Sequence, residues 1–591
     1  MGTKIWSRAF AVASIAGLTF AACGQQATPA ATATAAAGTA APATAAPTVA
    51  TQRGAGGNLT ILYWQAVTSL IGHHNQGTKD YDAARLILEP LASTGPDGKP
   101  VPNLAAEIPT KANGGISADS TSVTWKLKPN VKWSDGSEFT SADVVFTWKY
   151  VADKATAATT AGVYATVKNV EAIDKTTVKV TYTAPTSNPY LAFTAGPGQI
   201  IQEKQYKDFI GAKSKDGPKV PVGTGPYKVV EFKPNDVVTY EINTQYRDPG
   251  KPFFKTVTFK GGGDAASAAR AVCQTGDVDY AWNLQVEATV LKPMVDASDG
   301  KCKMNIAGGP NVERILMNRS NPAASLGDKR GEPDQPHPFL SDLKVRQALA
   351  MAIDRGPIAA LYGPTGTATC NMIVGLDAYT SKNTASMSVC KYDLAAANKL
   401  LDEAGAAKGA DGIRVYKGTR MKILYATTVN PLRQKEQDIV KASWTQLGID
   451  VELKAVAAGV FFGTDGNDTA AKFFFDVEMF TNGASQITQD DYVINYICSE
   501  IKTAKDKWSG ANYMRWCNKD FDALYDQYAK ELDLNKRYEL LAKMNDMIVS
   551  DVVEIPLVSR TQPSDGISKA LKGVIPTAWD SVLWNIADWS K

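Results

Sequence analysis

The chain holds three histidines, His73, His74 and His337, and none sits in a pattern that activates a nucleophile or grips a metal. The sequence has no His-Glu-x-x-His pair, no Gly-x-Ser-x-Gly elbow and no phosphate-cradling P-loop. The run Asp465-Gly-Asn-Asp468 looks like the start of a calcium loop, but the rest of the ligand spacing fails, so a surface turn is expected. Adjacent His73 and His74 have metal-binding chemistry, yet adjacent loop histidines read as ordinary residues. Carboxylates are plentiful and any pair can act as acid and base, but no pair stands out. No metal, no cofactor and no catalytic set is expected. The rival reading is an extracellular hydrolase using an unrecognised carboxylate pair.

Aromatic residues say more. Of 12 Trp and 22 Tyr, many stand beside small residues in loops, among them Trp64, Trp282, Tyr379, Trp508, Tyr513 and Trp516. Rigid apolar rings of this kind cover a ligand at little entropic cost. Seven cysteines complete the chemistry-bearing set. Cys23 stands apart, and the other six fall into sequence-local pairs: Cys273 with Cys302, Cys370 with Cys390, Cys498 with Cys517. None has metal-site spacing, and an even number in an exported chain implies disulfides.

Export is read from the first residues. Lys4 and Arg8 precede an apolar run, 9–22, that ends Phe20-Ala-Ala-Cys23. The run is short for a membrane span and ends in small residues, as a cleaved signal does. The small-small-Cys ending resembles a bacterial lipobox, with Phe20 where Leu is usual, and marks Cys23 for lipidation. From 27 to 51 only Gly38 and Val49 are not Ala, Thr or Pro, so 24–56 is expected to be an unstructured tether. Net charge is +3 with both signs interspersed, which gives nucleic acid no basic patch to bind. At 591 residues the chain exceeds what one hydrophobic core organises.

The elements that must position a ligand site mix strands and helices, an α/β class. Asn58-Leu-Thr-Ile-Leu-Tyr-Trp64 reads as a strand, and 81–91 as a helix with Ala84, Leu88 and Leu91 on one face. Alternation predicts strands at 123–127, 177–182, 237–242 and 256–259. Ser141 reads as the cap of a helix. In the second half Leu394, Ala397, Leu401 and Ala404 share a helix face, with Asp393 as cap and Gly405 as stop. Val440, Trp444 and Leu447 form another stripe, and 521–532 with 537–549 a terminal helical pair.

Several segments, in order, resemble the extracellular solute-binding proteins of peptide and nickel importers of the ATP-binding-cassette type, family 5. They are Glu89-Pro-Leu, Pro102-Asn-Leu-Ala-Ala-Glu107, Trp125-Lys-Leu-Lys, Val131-Lys-Trp-Ser-Asp-Gly136, Phe139-Thr-Ser-Ala-Asp-Val144, Val222-Gly-Thr-Gly-Pro-Tyr227, Val345-Arg-Gln-Ala-Leu349 and Ile555-Pro-Leu557. The resemblance runs from about 58 to 557. It implies a two-lobed periplasmic-binding-protein fold (type II, cluster C) with an extra inserted domain. By that resemblance 57–84, 224–309 and 552–591 form lobe I, 85–223 the inserted domain, and 310–551 lobe II. It also implies three local disulfides, although the 370–390 pair departs from the dipeptide-binding branch that looks nearest.

The implied role is a substrate-binding lipoprotein, held on the outer face of the cytoplasmic membrane. It captures a peptide or peptide-like solute as a monomer and delivers it to a permease with its ATPase subunits. A non-peptide solute such as an oligosaccharide, or a receptor or chaperone role, are the alternatives. Dipeptide binders hold the ligand's amine with an aspartate and its carboxylate with an arginine. Counted along this chain, those positions fall on Ala484 and near Thr427, neither of which pairs with a charge. The pocket is therefore expected to disfavour free dipeptides, with Arg433, Asp490 or Asp491 as compensating charges. Trp64, Tyr81, Trp282 and Asn283 are expected at the cleft, as are Glu313 and Arg314 near the lobe crossover. Thr481, Asn482 and Gly483 are expected to follow a strand into it.

Overall fold

The computed structural model describes residues 52–591 apart from 76, 464, 465, 485 and 509. Cys23, the signal segment, the tether as far as residue 51, and Asp465 lie outside the described residues. One mixed sheet of eleven strands dominates. In chain order its strands are β1 (Asn58–Tyr63), β2 (Tyr227–Lys233), β3 (Val237–Ile242), β4 (Thr256–Gly261), β5 (Tyr280–Ala281) and β6 (Cys302–Met317). They continue with β7 (Gly366–Ala368), β8 (Lys422–Thr428), β9 (Asp450–Val456), β10 (Val477–Asn482) and β11 (Glu554–Ser568). Across the sheet the order is β9-β8-β10-β6-β11-β5-β1-β4-β3-β2, with β7 added to β11.

The long pair β6 and β11 joins the two ends. It is antiparallel from Cys302 opposite Ser568 to Leu316 opposite Glu554. Its register shifts three times between Ile306 and Arg314, the irregularity of β-bulges, which bend a strand and raise its twist. Beside one half of the pair lie β5 and β1, and beside the other β10 and β8. Two large hydrophobic cores flank this irregular stretch. One is built on Leu59, Trp125, Tyr240 and Trp589, the other on Ile315, Leu349, Tyr425 and Trp444. Residues of the segment 85–223, such as Val123 and Tyr150, belong to the same core as β1.

Local sequence explains the elements that meet the site. Helix α1 (Thr78–Arg85) starts three residues earlier than the apolar pattern predicts and stops six short of Leu91. Pro90 has no N–H to give back to Leu86, and the carbonyls of Leu86 and Ile87 accept from Tyr227 (3.2 Å) and Gly225 (2.8 Å) instead. Helix α2 (Ser141–Ala152) is capped by Thr140 rather than Ser141. The Thr140 hydroxyl accepts from the Ala142 N–H, the Asp143 carboxylate accepts from the Thr140 N–H, and the Ser141 hydroxyl donates to the Asp174 carbonyl. Helix α3 (Pro431–Gln446) begins with Asn430, whose side chain accepts from the Arg433 N–H at 3.1 Å, and with Pro431 in the first position, where its missing N–H costs nothing. Trp444 anchors the other end, donating to the Leu349 carbonyl at 2.9 Å.

Disulfides join Cys273–Cys302, Cys370–Cys390 and Cys498–Cys517. Among the described residues no helix is long and apolar enough to cross a membrane.

Candidate ligand cleft

Where β6 and β11 lose register, a cleft of about 540 Å³ opens. One wall comes from Trp64 after β1, Tyr81 and Asp82 on α1, Trp282 and Asn283 after β5, and the C-terminal stretch Ala578–Val582. The opposite wall comes from Asn311, Thr428, Asn430 and Arg433, Phe462, Thr481 and Asn482. Residues 560–565 of β11 run between the walls, with Arg560 against Thr481 of the second and Asp565 against Asn283 of the first.

The second wall carries a cationic cluster. Glu313 is fully buried on β6 and directly opposite Thr481 of β10. Alternation puts Arg314 on the other face of the sheet. Glu313 accepts from Arg433 Nε (2.8 Å) and Nη2 (3.3 Å) and from Arg560 Nη1 (3.4 Å), and the Thr481 hydroxyl donates to it. The same hydroxyl oxygen accepts from Arg560 (2.8 Å), and Arg433 Nη1 donates to the Thr428 hydroxyl (3.0 Å). Burial alone would raise the Glu313 carboxyl, but Arg433, then Arg560, hold it well below the usual range. Glu436, one turn along α3 from Arg433, goes the other way. Burial, then the Glu313 charge, push its carboxyl up, and its one hydrogen-bond donor is the Tyr362 phenol at 2.6 Å.

The first wall is acidic and aromatic. Asp82 and Asp565 are buried, and burial pushes both up to about 7 against the hydrogen bonds they accept. Asp82 accepts from the Tyr63 phenol (2.7 Å); Asp565 accepts from the Tyr280 phenol and from the Asn283 N–H (2.8 Å). Asp580 accepts from the Thr94 N–H at 2.9 Å, and burial raises it too, against the charge of Arg85. Among the described residues no Lys, Arg or His nitrogen lies within 4.0 Å of these three carboxylates. Trp282 stacks on Tyr63 with ring centroids 4.8 Å apart and on Trp64 at 5.5 Å, so the acids sit beside a rigid aromatic bank.

Of the residues expected at the cleft, Trp64, Tyr81, Trp282, Asn283, Arg433, Thr481 and Asn482 line it, and Glu313 lies beneath Arg433. Thr481 and Asn482 are the last residues of β10 itself rather than a loop after it. Four residues belong elsewhere. Arg314 pairs with Glu554 (3.3 Å) and covers Phe480 on the far face. Gly483 packs on the Pro310 carbonyl, where a Cβ would come within 2.4 Å. Asp490 is held by Arg537 (2.6 Å), and neither Asp490 nor Asp491 lines the cleft. Thr427 turns its hydroxyl to the Met479 carbonyl (2.8 Å), and it is Thr428 that reaches the cleft. Beside Arg433, the cleft holds Arg560, Asp82, Asp565 and Asp580, charges that counting along the chain passes over. Asp82 adjoins Tyr81 on one helix, a hint the sequence did contain; Arg560 and Asp565 become neighbours of Thr481 and Asn283 only through the sheet.

His73 serves packing. His73 is buried with one ring nitrogen 2.8 Å from the Thr160 hydroxyl and the other 2.9 Å from the Gln199 carbonyl, and burial lowers it to about 4.

The sequence and the fold have counterparts among known proteins. Residues 99–503 match the profile described as bacterial extracellular solute-binding proteins, family 5 Middle. The chain belongs to that family. Among family 5 relatives it is 24% identical to the glutathione-binding protein GsiB of Escherichia coli K12 over 452 residues, 75% of this chain and 78% of the relative. It is 23% identical to the dipeptide-binding protein of the same strain, over 78% of this chain and 82% of that one. The fold matches the oligopeptide-binding protein AppA of Bacillus subtilis, solved with a nonapeptide, at TM-score 0.75 and 22% identity, covering 91% and 99% of the two chains. It matches NikZ of Campylobacter jejuni, solved with Ni(L-His), at TM-score 0.74 and 21% identity, covering 90% and 99%. Family 5 is thus a family of transport solute-binding proteins, and the two-lobed fold is theirs.

Proposed function

We propose that this chain is the solute-capturing subunit of an ATP-binding-cassette importer and that it carries a peptide or peptide-like dipolar solute in the cleft. The observation that carries this reading is the polarity of one cavity: a guanidinium pair on one side, two buried carboxylates and the half-buried Asp580 with aromatic rings on the other. A solute with opposite charges at its ends satisfies both walls at once, and a buried charge left unpaired is costly. The relatives named for glutathione and dipeptides support a peptide-type cargo. On this reading 57–84, 224–309 and 552–591 act as lobe I, 85–223 as the inserted domain and 310–551 as lobe II. Cys23 is the lipid attachment point, and 24–56 is the tether that holds the monomer near its permease.

The test is mass spectrometry of molecules released from protein purified from its native membranes. Thermal-shift titration with a tryptic peptide pool and an oligosaccharide pool accompanies it. Stabilisation by peptides and not by sugars is the expected result. Release of a sugar, or stabilisation by the sugar pool alone, excludes the peptide reading.

A further inference from the structure

A second cavity, of about 240 Å³, lies outside the cleft, between the end of α1, residues 101–103, residues 246–248 and the C-terminal residues 584–588. Helix α1 borders both cavities: Tyr81 and Asp82 line the cleft, and Arg85 lines the second cavity. Four cations line this cavity, Arg85, Lys128, Arg247 and Lys251, with three carboxylates, Glu89, Asp248 and Asp588. Every carboxylate is already taken. Arg247 holds Glu89 at 2.7 Å, and Lys251 holds both Asp588 and Asp248, the latter at 3.5 Å. Among the described residues neither Arg85 nor Lys128 has a carboxylate within 4.0 Å. Arg85 is 2% exposed. Its Nη2 donates to the Ser93 hydroxyl at 2.7 Å and its Nη1 reaches the Leu88 carbonyl at 3.5 Å, while its Nε is buried with no hydrogen-bond partner. Lys128 is half-buried, and burial, then the charge of Arg247, lower its ammonium, the response of a cation short of anions.

We propose that this second cavity is a seat for a phosphate group, separate from the solute cleft. A buried guanidinium with an idle N–H is costly unless an acceptor completes it. Two cations without counterions match a phosphate ester, which carries about −1.5 to −2 charge near pH 7. Phosphate oxygens also point in several directions, so one group can accept from donors on different elements; a carboxylate presents both oxygens on one side. Besides Arg85 and Lys128, Asn103 lines the cavity; its carbonyl oxygen accepts from Arg247 at 2.7 Å, which leaves its amide N–H groups for a ligand. Lys251, flanked by two carboxylates, makes its own end of the cavity negative, so the phosphate belongs with Arg85 and Lys128.

The test is equilibrium dialysis of the full-length protein with radiolabelled inorganic phosphate, and in parallel with glycerol phosphate, at ionic strength held constant with chloride. Saturable binding at a single site is expected. Lys128→Gln, at a half-buried position, should weaken it about tenfold, the worth of a charge-assisted hydrogen bond. Arg85→Gln should weaken it at least as much. Asp588→Asn should tighten it several-fold by removing a competing carboxylate, a gain that misfolding cannot imitate. Arg560→Gln, in the cleft, should leave phosphate binding intact. Tighter binding of glycerol phosphate assigns the seat to a phosphate ester, and tighter binding of inorganic phosphate to the free ion; either upholds the seat. Binding of neither, no gain in Asp588→Asn, or binding that survives Lys128→Gln and is lost in Arg560→Gln would overturn it.

Discussion

At the scale of single residues, the buried acids dominate what pH does to this protein. Asp82 and Asp565 are raised to about 7 in the fold, and Glu478, fully buried with neither carboxylate oxygen hydrogen-bonded, is raised well above its ordinary value. The unfolded chain gives up these protons near pH 4. Between pH 4 and the folded values the native state therefore binds more protons than the unfolded one. The stability these groups contribute is full below pH 4 and is lost as pH rises through the folded values. The melting temperature of the ligand-free protein should fall from pH 5 to pH 8. Asp82→Asn and Glu478→Gln should each shallow that fall in a pH series of melting curves. The two differ in the presence of cargo. Asp82 faces the cleft, so a bound ammonium group should restore stability at pH 8 in the parent protein and less in Asp82→Asn, with Glu478→Gln behaving like the parent. A fall of equal slope in all three proteins would show that other groups set the profile.

At the scale of elements, α3 links chain-local signals to the site. Asn430 caps it, Pro431 pre-sets its first turn, and the third residue is Arg433. Asn430 also donates to Gln285 across the cleft at 3.0 Å. Asn430→Ala should lower stability by about 1 kcal/mol through the lost cap. It should also weaken cargo binding several-fold, because the turn that aims Arg433 loosens; denaturant melts and calorimetry with a captured ligand separate the two effects. These local features were legible in the sequence: the caps at Asp393 and near Thr140, the stripe of Val440, Trp444 and Leu447, and the alternating strands follow from hydrogen-bond and packing rules that act over a few residues. Trp64 closes a segment the sequence marks as a strand, and it lines the cleft with Trp282. The cationic cluster was not legible. Glu313, Thr481 and Arg560 lie more than 70 residues apart in sequence and meet only through the pairings of β6 with β10 and β11. Arg314, next to Glu313 in sequence, was drawn to the wrong face because the period-two rule needs one anchored position before it can say which residue points where. Helix α1 was mis-bounded for a similar reason: its end is set by carbonyls that bond to Gly225 and Tyr227, far along the chain.

At the scale of the whole molecule, the decisive feature is that two hydrophobic cores meet across the bulged stretch of β6 and β11. Few continuous elements cross there, and the site residues come from both sides. A ligand that touches Arg433 on one side and Asp82 on the other can only favour the closed arrangement, since it completes both sets of contacts there and one set when open. Cargo should therefore shrink the protein, and small-angle scattering should record a lower radius of gyration on saturation. Asp82→Asn should keep part of the affinity, through the arginine wall, while losing part of the contraction. That pattern separates a bridging ligand from one held by a single side. If contraction survives intact in Asp82→Asn and vanishes in Arg560→Gln, closure is driven from the arginine wall alone. If the radius does not change although ligand binds, the two sides are already fixed, and delivery to a permease cannot depend on a cargo-closed shape.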